Sequence, residues 1–328
     1  MPYDILEQAL KLTNVGYLNA TAEIYGKDLC KHDKEYAVKQ RLDPVKYLSK
    51  LVSDPKALLK YMRENKIVLS GSRAAAYFSP SLCEPDSDWD FYIVDDDAVP
   101  YPVSNRAKFI SFLGSLGAII VEENMDSSYE QSLNNILTVS TMEITRKRTH
   151  KIQIISHTEL TNMQAVLSFD ISAVQCVITG YCAISAYHLL TKDNNSLWWK
   201  SKRMLELKRD LEFEMMGHDN QEECNAYSQL NTLNNRLIKY INRGINILPN
   251  SDKSITRSLR DSQSLVIIFE DTKNSTEHIL DYCARMKWKQ TYQLCTRFLT
   301  DTFVNKLSES DVAMFSVLTL EEYKKYPF

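Results

Sequence analysis

Residues 67–94 read IVLSGSRAAAYFSPSLCEPDSDWDFYIV, and the order of residue types within them sets the fold class. Ile67-Val68-Leu69 is a short β-type run that ends in Ser70-Gly71-Ser72. Ala74 to Phe78 predicts a short helix, Ser79 to Ser87 a polar loop, and Asp88 to Val94 a β-prone segment. A strand entering a Gly-Ser turn at a helix start presents free backbone N–H groups and a hydroxyl, which suit a phosphate chain. On the second strand residues i and i+2 point the same way, so Asp88 and Asp90 share one face. Trp89 and Phe91 then face a core on the other. Two carboxylates about 6–7 Å apart along a strand suit one or two divalent cations.

Outward from this stretch, residues 1–65 read as helical. Asp43-Pro44 and Asp54-Pro55 are N-cap plus N1-proline signals that open helices around Val45 to Leu51 and Lys56 to Glu64. Downstream, a helix at 106–116 precedes an apolar run at 118–121. Strand-like segments at 137–145 and 151–156 are joined by the basic stretch Arg146-Lys147-Arg148-Thr149-His150. From Thr158 onward the pattern predicts helices at 158–168, 170–190, 196–213, 222–243 and 275–306, interrupted by a strand at 264–269. The expected organisation is an α+β chain: a helical N-terminal segment (1–65), an α/β core (66–157) and a mainly helical C-terminal domain (158–328).

The run ISAVQCVITGYCAISAYHLL (171–190) contains no Asp, Glu, Lys or Arg over the length of a membrane span. Its Ser, Gln, Thr, Tyr and His favour a buried central helix, so no membrane partner is expected.

Composition narrows the rest. At 328 residues the chain has room for two modules, and 44% hydrophobic with 25% charged residues is globular. A net charge of −3 excludes a chain that is basic throughout but leaves room for a local basic patch. Seven cysteines, an odd number, do not read as a secreted disulfide framework. The opening MPYDILEQAL has acidic residues and no apolar core of a leader, so a cytoplasmic location is expected. Zinc is not expected: His150 and His157 fall on opposite faces of a strand, and there is no Cys-x-x-Cys pair.

The run from Gly71 to Val94 resembles the G-S … D-x-D signature of the polymerase-β-like nucleotidyltransferase superfamily, which includes poly(A) polymerases, CCA-adding enzymes, oligoadenylate synthetases and small toxin–antitoxin transferases. That motif spans about residues 66–157. A closer likeness is to uncharacterised fungal nucleotidyltransferase-like proteins, with similar blocks at SDWDFY, KIQII, VQCVITGYCA, KYINRG and DSQSLVIIF.

The resemblance implies a nucleotidyltransferase-like mixed-sheet core in which Asp88 and Asp90 hold Mg²⁺ (or Mn²⁺). Gly71, Ser72 and Arg73 would grip a nucleoside triphosphate, and a nucleoside monophosphate would pass to RNA or another acceptor. Active members add a third carboxylate from a neighbouring strand, and the matching position is Gln153. An amide offers an oxygen to a metal but carries no charge and cannot act as a base. Glu143, on the adjoining strand, is the candidate substitute. Lys239 and Arg243, spaced i, i+4 on a helix, could reach the cleft between the modules.

Other readings stay open. A catalytically inactive relative would use the same cleft to bind RNA such as tRNA, or a protein partner, for example as a toxin-immunity factor. A helical scaffold with a chance D-x-D is a third. The basic run 146–151 reads equally as a phosphate contact or a solvated hairpin tip. Lys200, Lys202, Arg203, Lys208 and Arg209 read as a solvated helix face or as a channel lining. Asp95-Asp96-Asp97 reads as a solvated turn.

Overall fold

Both Asp-Pro pairs open helices by the mechanism their chemistry predicts. In this computed structural model Asp43 accepts from Val45 N–H (2.8 Å) at the start of α4 (Pro44–Leu48), and Asp54 from Ala57 N–H (2.9 Å) at α5 (Pro55–Glu64). The structure describes residues 2–95, 103–124, 136–158, 161–198, 220–248, 251–269, 276–292 and 314–315. Before α4, the helices α1 (Pro2–Leu12), α2 (Leu18–Tyr25) and α3 (Lys31–Arg41) close on a small core of Leu6, Leu10, Leu18, Ala22 and Ala37. Several hydrogen bonds stitch this arm and α4 to the sheet-bearing part of the chain. Among them, Arg41 Nη2 donates to Tyr77 O (2.9 Å), and the Tyr47 hydroxyl donates to Arg73 O (2.6 Å).

Strand β1 (Val68–Ser70) runs into α6 (Gly71–Phe78), and β2 (Trp89–Val94) comes after the polar loop. Then come α7 (Asn105–Ser115), β3 (Ala118–Asn124), β4 (Ile136–Thr145) and β5 (Thr149–His157). Among the described residues the chain is mixed α and β around one large sheet of eight strands, in the order β11 (Leu265–Ile268), β7 (Cys182–Ser185), β6 (Cys176–Ile178), β1, β2, β5, β4, β3. Only the central β2–β5 pair in that sheet is parallel. One face packs Leu69, Phe91, Ile93, Ile152 and Ile154 against α5, α6 and α7. The other packs Val68, Tyr92, Val139 and Ile155 against α8 (Asn162–Leu167) and α11 (Thr276–Arg285).

The segment expected as a central helix is instead a β-hairpin. Strands β6 (Cys176–Ile178) and β7 (Cys182–Ser185) pair antiparallel, and only the short α9 (His188–Thr191) comes next. Thr179 Oγ1 accepts from Tyr181 N–H (3.0 Å) and Cys182 N–H (2.9 Å), closing the turn. Strands buried on both faces read as an unbroken apolar run, which periodicity cannot tell from a buried helix. The break lies at Thr179-Gly180. Arg63 of α5 donates twice to Gly180 O (3.1 and 2.9 Å), so the two backbones meet there.

The hairpin and β11 (Leu265–Ile268) extend the sheet across the boundary expected at 157/158. The C-terminal half differs further. The helix expected at 158–168 is confined to α8, and β8 (Asn195–Ser196) stands where the 196–213 helix was to begin. The rest of that helix, with its basic residues from Lys200 to Arg209, lies outside the described residues. Helix α10 (Asn220–Asn242) matches its expectation and leads into β9 (Asn246–Ile247), which pairs with β8. The 275–306 helix stops at Arg285; β12 (Lys287–Tyr292) joins β10 (Ser251–Ser258) and β13 (Met314–Phe315) in a separate sheet, and 293–306 lies outside the described residues. Among the described residues no helix is long and apolar enough to cross a membrane.

A Cβ on residue 180 would lie 2.6 Å from Arg63 N and 2.7 Å from its Cα. Gly180→Ala is therefore expected to cost about 1–3 kcal/mol through overpacking. Urea unfolding with unchanged m-value checks this; a variant as stable as the unaltered chain would show that α5 and the hairpin are not tightly apposed.

Candidate functional site

The cleft is built on one row across four strands. Ser70 pairs with Asp90, Asp90 with Gln153, and Gln153 with Thr141, so these residues share a face. Ser70 ends β1 in extended conformation, its hydroxyl donating to Cys176 O of the hairpin (2.7 Å). Gly71 then turns the chain into α6 with φ of 66°. Any Cβ there would overlap Asp90 Oδ2, so glycine is required by both the dihedral and the space.

Asp88, Asp90, Gly71 and Ser72 line a common cavity of about 170 Å³ with Gln153, Tyr92, Phe169, Asp170, Arg236, Lys239 and Tyr240. The two acids thus look toward the Gly-Ser bend, as the i, i+2 spacing requires. Trp89 and Phe91 have no exposed surface on the opposite side.

Asp90 is the electrostatic centre of the site. Its Oδ1 is sealed from solvent and, among the described residues, has no hydrogen-bond partner. Burial pushes its carboxyl up to about 7, the Asp88 charge adds to the rise, and Lys239, Arg73 and Lys151 oppose it. A buried carboxylate oxygen without a donor is unusual enough to require a cause.

Helix α10 forms the opposite wall. The Tyr240 hydroxyl shares a hydrogen bond with Ser72 Oγ (3.0 Å), and burial raises its pKa to about 12, against the opposing Ser72 bond and Arg243 charge. Arg243 Nη1 donates to Ser72 Oγ (3.1 Å) and Leu82 O (2.9 Å), Nη2 to Ser87 Oγ (3.2 Å), and Nε meets Glu84 (3.3 Å). Arg236 pairs with the buried Asp170 (3.2 Å).

Several residues predicted to act here are placed otherwise. Arg73 turns away from the cleft: it donates to Ser87 O and Pro85 O and lies 4.9 Å from the Trp89 ring. Successive residues on a helix leave it about 100° apart, so Ser72 and Arg73 serve different sides of α6. Arg243 is a clamp on Ser72 and the 79–87 loop and does not line the cavity, whereas Lys239 does. Glu143 lies on the face of Gln153 but pairs with Lys151, one row away and outside the lining. Arg146 donates to Ser49 O and Val52 O, tying the basic hairpin tip to the arm. Asp95 accepts from Asn105 N–H and Arg106 N–H, which gives it a structural partner at the start of α7; Asp96 and Asp97 lie outside the described residues.

Asp170, Arg236 and Tyr240 are among the lining residues that sequence reading passed over, with Tyr92 and Phe169. Arg236, Lys239, Tyr240 and Arg243 recur at spacings of three, one and three, a helical stripe that was available to see. Asp170 was hidden by its place at the head of the misread apolar run. Among the described residues no group of three or more His, Cys, Asp or Glu side chains is disposed to hold a metal ion.

The unfolded chain releases the Asp90 proton near its ordinary carboxylate range, the folded chain near 7. The folded state is therefore penalised as pH rises through that window. In a chelator, Asp90→Asn is expected to gain stability over the unaltered chain between pH 5 and 8, on the order of 2 kcal/mol. Urea unfolding at both pH values measures it; an unchanging difference would mean that Asp90 is not held in a desolvated site.

No family model, curated protein or solved structure matches the chain.

Proposed function

We propose that this chain is a nucleotidyltransferase-like protein whose cleft binds a nucleoside triphosphate together with Mg²⁺ or Mn²⁺. The observation that supports this is Asp90 beside a second carboxylate: its Oδ1 is buried without a donor among the described residues, and its Oδ2 lies against Gly71 at the start of α6. The donor set fits a hard divalent cation: two carboxylates, Asp88 and Asp90, with the Gln153 amide in register beside them. Such an ion, when bound, neutralises phosphate charge and lowers the pKa of an attacking hydroxyl. The protein's own contribution is positional. The first N–H groups of α6 and the Lys239 ammonium face the seat of the phosphates, Tyr240 and Arg243 fix the Ser72 hydroxyl, and Tyr92 and Phe169 give apolar wall for a base.

A second reading is binding without transfer, and Gln153 favours it. The position level with Asp90 carries an amide, and Glu143 is set against Lys151 instead of entering the cleft. The amide gives the site no base at that position, and the third carboxylate of the lining, Asp170, is paired with Arg236. RNA such as tRNA, or a protein, is the acceptor in the first reading and the cargo in the second.

Calorimetry with NTP and Mn²⁺ separates binding from its absence, and labelled-nucleotide incorporation separates transfer from binding. The unaltered chain is expected to bind NTP only with the divalent ion, and Asp88→Ala or Asp90→Ala to weaken that binding at least about tenfold, some 1.4 kcal/mol. Binding untouched by either change would remove the acids from the site. Gln153→Asp is expected to raise incorporation by about tenfold or more; no gain over the unaltered chain would show that the missing charge is not what limits transfer.

A further inference from the structure

A second cavity lies apart from the carboxylate cleft. It measures about 350 Å³ and opens on the other side of α6, between the N-terminal arm and the 79–87 loop. That volume falls within the range of small-molecule sites, roughly 300–1,000 Å³. Its walls carry Lys11, Arg41, Lys46, Lys50, Arg73 and Arg148 against Glu7, Asp43 and Glu84. Six cations facing three carboxylates leave an excess of three positive charges in a chain whose net charge is −3.

The acids are already engaged. Glu7 pairs with Lys46 (2.7 Å) and Lys11 (3.7 Å), Asp43 caps α4, and Glu84 meets Arg243 from the far side. Among the described residues Arg41 and Arg73 donate only to carbonyl oxygens, those of Leu10 and Tyr77 and of Pro85 and Ser87. Arg73 is 7% exposed, and among the described residues it meets no carboxylate. Lys50 holds its ammonium 4.6 Å from the Tyr47 ring centroid. The residue as a whole is exposed, but its ammonium is partly desolvated, and this, followed by the charges of Arg41 and Arg73, keeps it below the usual lysine range. A buried guanidinium without a counter-ion is costly unless something anionic joins it.

We propose that this cavity binds a small phosphorylated molecule, its phosphate held by Arg41, Lys50, Arg73 and Arg148 and its apolar part set against Leu10 and Ala76. Guanidinium forks match phosphate oxygens in pairs, and the carbonyls that fix Arg41 and Arg73 preorganise them. The site is separate from the carboxylate cleft and does not depend on its function: Ser72 faces one cavity and Arg73 and Ala76 the other.

Titration calorimetry of the full chain with pyrophosphate, in a chelator so that no divalent ion serves the cleft, tests this. One equivalent is expected to bind, more weakly as salt rises. Lys50→Gln and Arg148→Gln, both at exposed positions, should each weaken binding about tenfold without changing the thermal unfolding profile. Three results would overturn the proposal: no binding at all, binding unchanged by these substitutions but lost in Lys239→Gln, or binding of an RNA oligonucleotide at these residues where pyrophosphate does not bind. The second would assign the anion to the cleft, the third an extended phosphate backbone to this surface.

Discussion

Asp90 lies against the backbone of Gly71, and the cleft is arranged around that contact. The register of β1 with β2 places Ser70 opposite Asp90, so the bend just after Ser70 falls beside the carboxylate. A side chain on residue 71 would overlap Oδ2, and φ of 66° at that residue suits glycine. Strand pairing, helix start and acid are therefore one constraint. It leaves a buried oxygen with no donor among the described residues, a state that folding alone disfavours.

The elements around this contact keep it closed. The β6–β7 hairpin supplies Cys176 O for the Ser70 hydroxyl and anchors α5 through Gly180. Helix α10 supplies Tyr240 and Arg243, which occupy the Ser72 hydroxyl and hold the 79–87 loop by Leu82 O and Ser87 Oγ. Arg73, next in the chain, holds the same loop from the other side. Helix α6 thus separates two cavities of different charge character, one acidic around Asp88 and Asp90, one basic around Arg41 and Lys50.

The local signals near residue 71 were strong because each is short-range. Pro44 and Pro55 mark helix starts by their missing N–H, and Asp43 and Asp54 cap the helices that those prolines open. Strand alternation put Asp88 and Asp90 on one side and Trp89 and Phe91 on the other. In the C-terminal half the signal failed for a physical reason: strands covered on both faces show no alternation, so residues 176–185 looked like a core helix. The Thr179-Gly180 turn was the contrary sign, and its geometry depends on Arg63, more than a hundred residues earlier. Arg73 was misassigned because adjacency to a motif says nothing about the direction a helical side chain takes.

The sequence by itself determined the strand–bend–helix order, the facing of the two acids, the caps and the Gln153 position, all of which rest on backbone periodicity over a few residues. Only the tertiary structure decided that one oxygen of Asp90 is sealed, that Asp170 and Tyr240 border it, that Glu143 lies one row away and that a basic cavity stands behind α6. Desolvation and charge balance depend on which distant segments come together, and no local pattern encodes the distance between them.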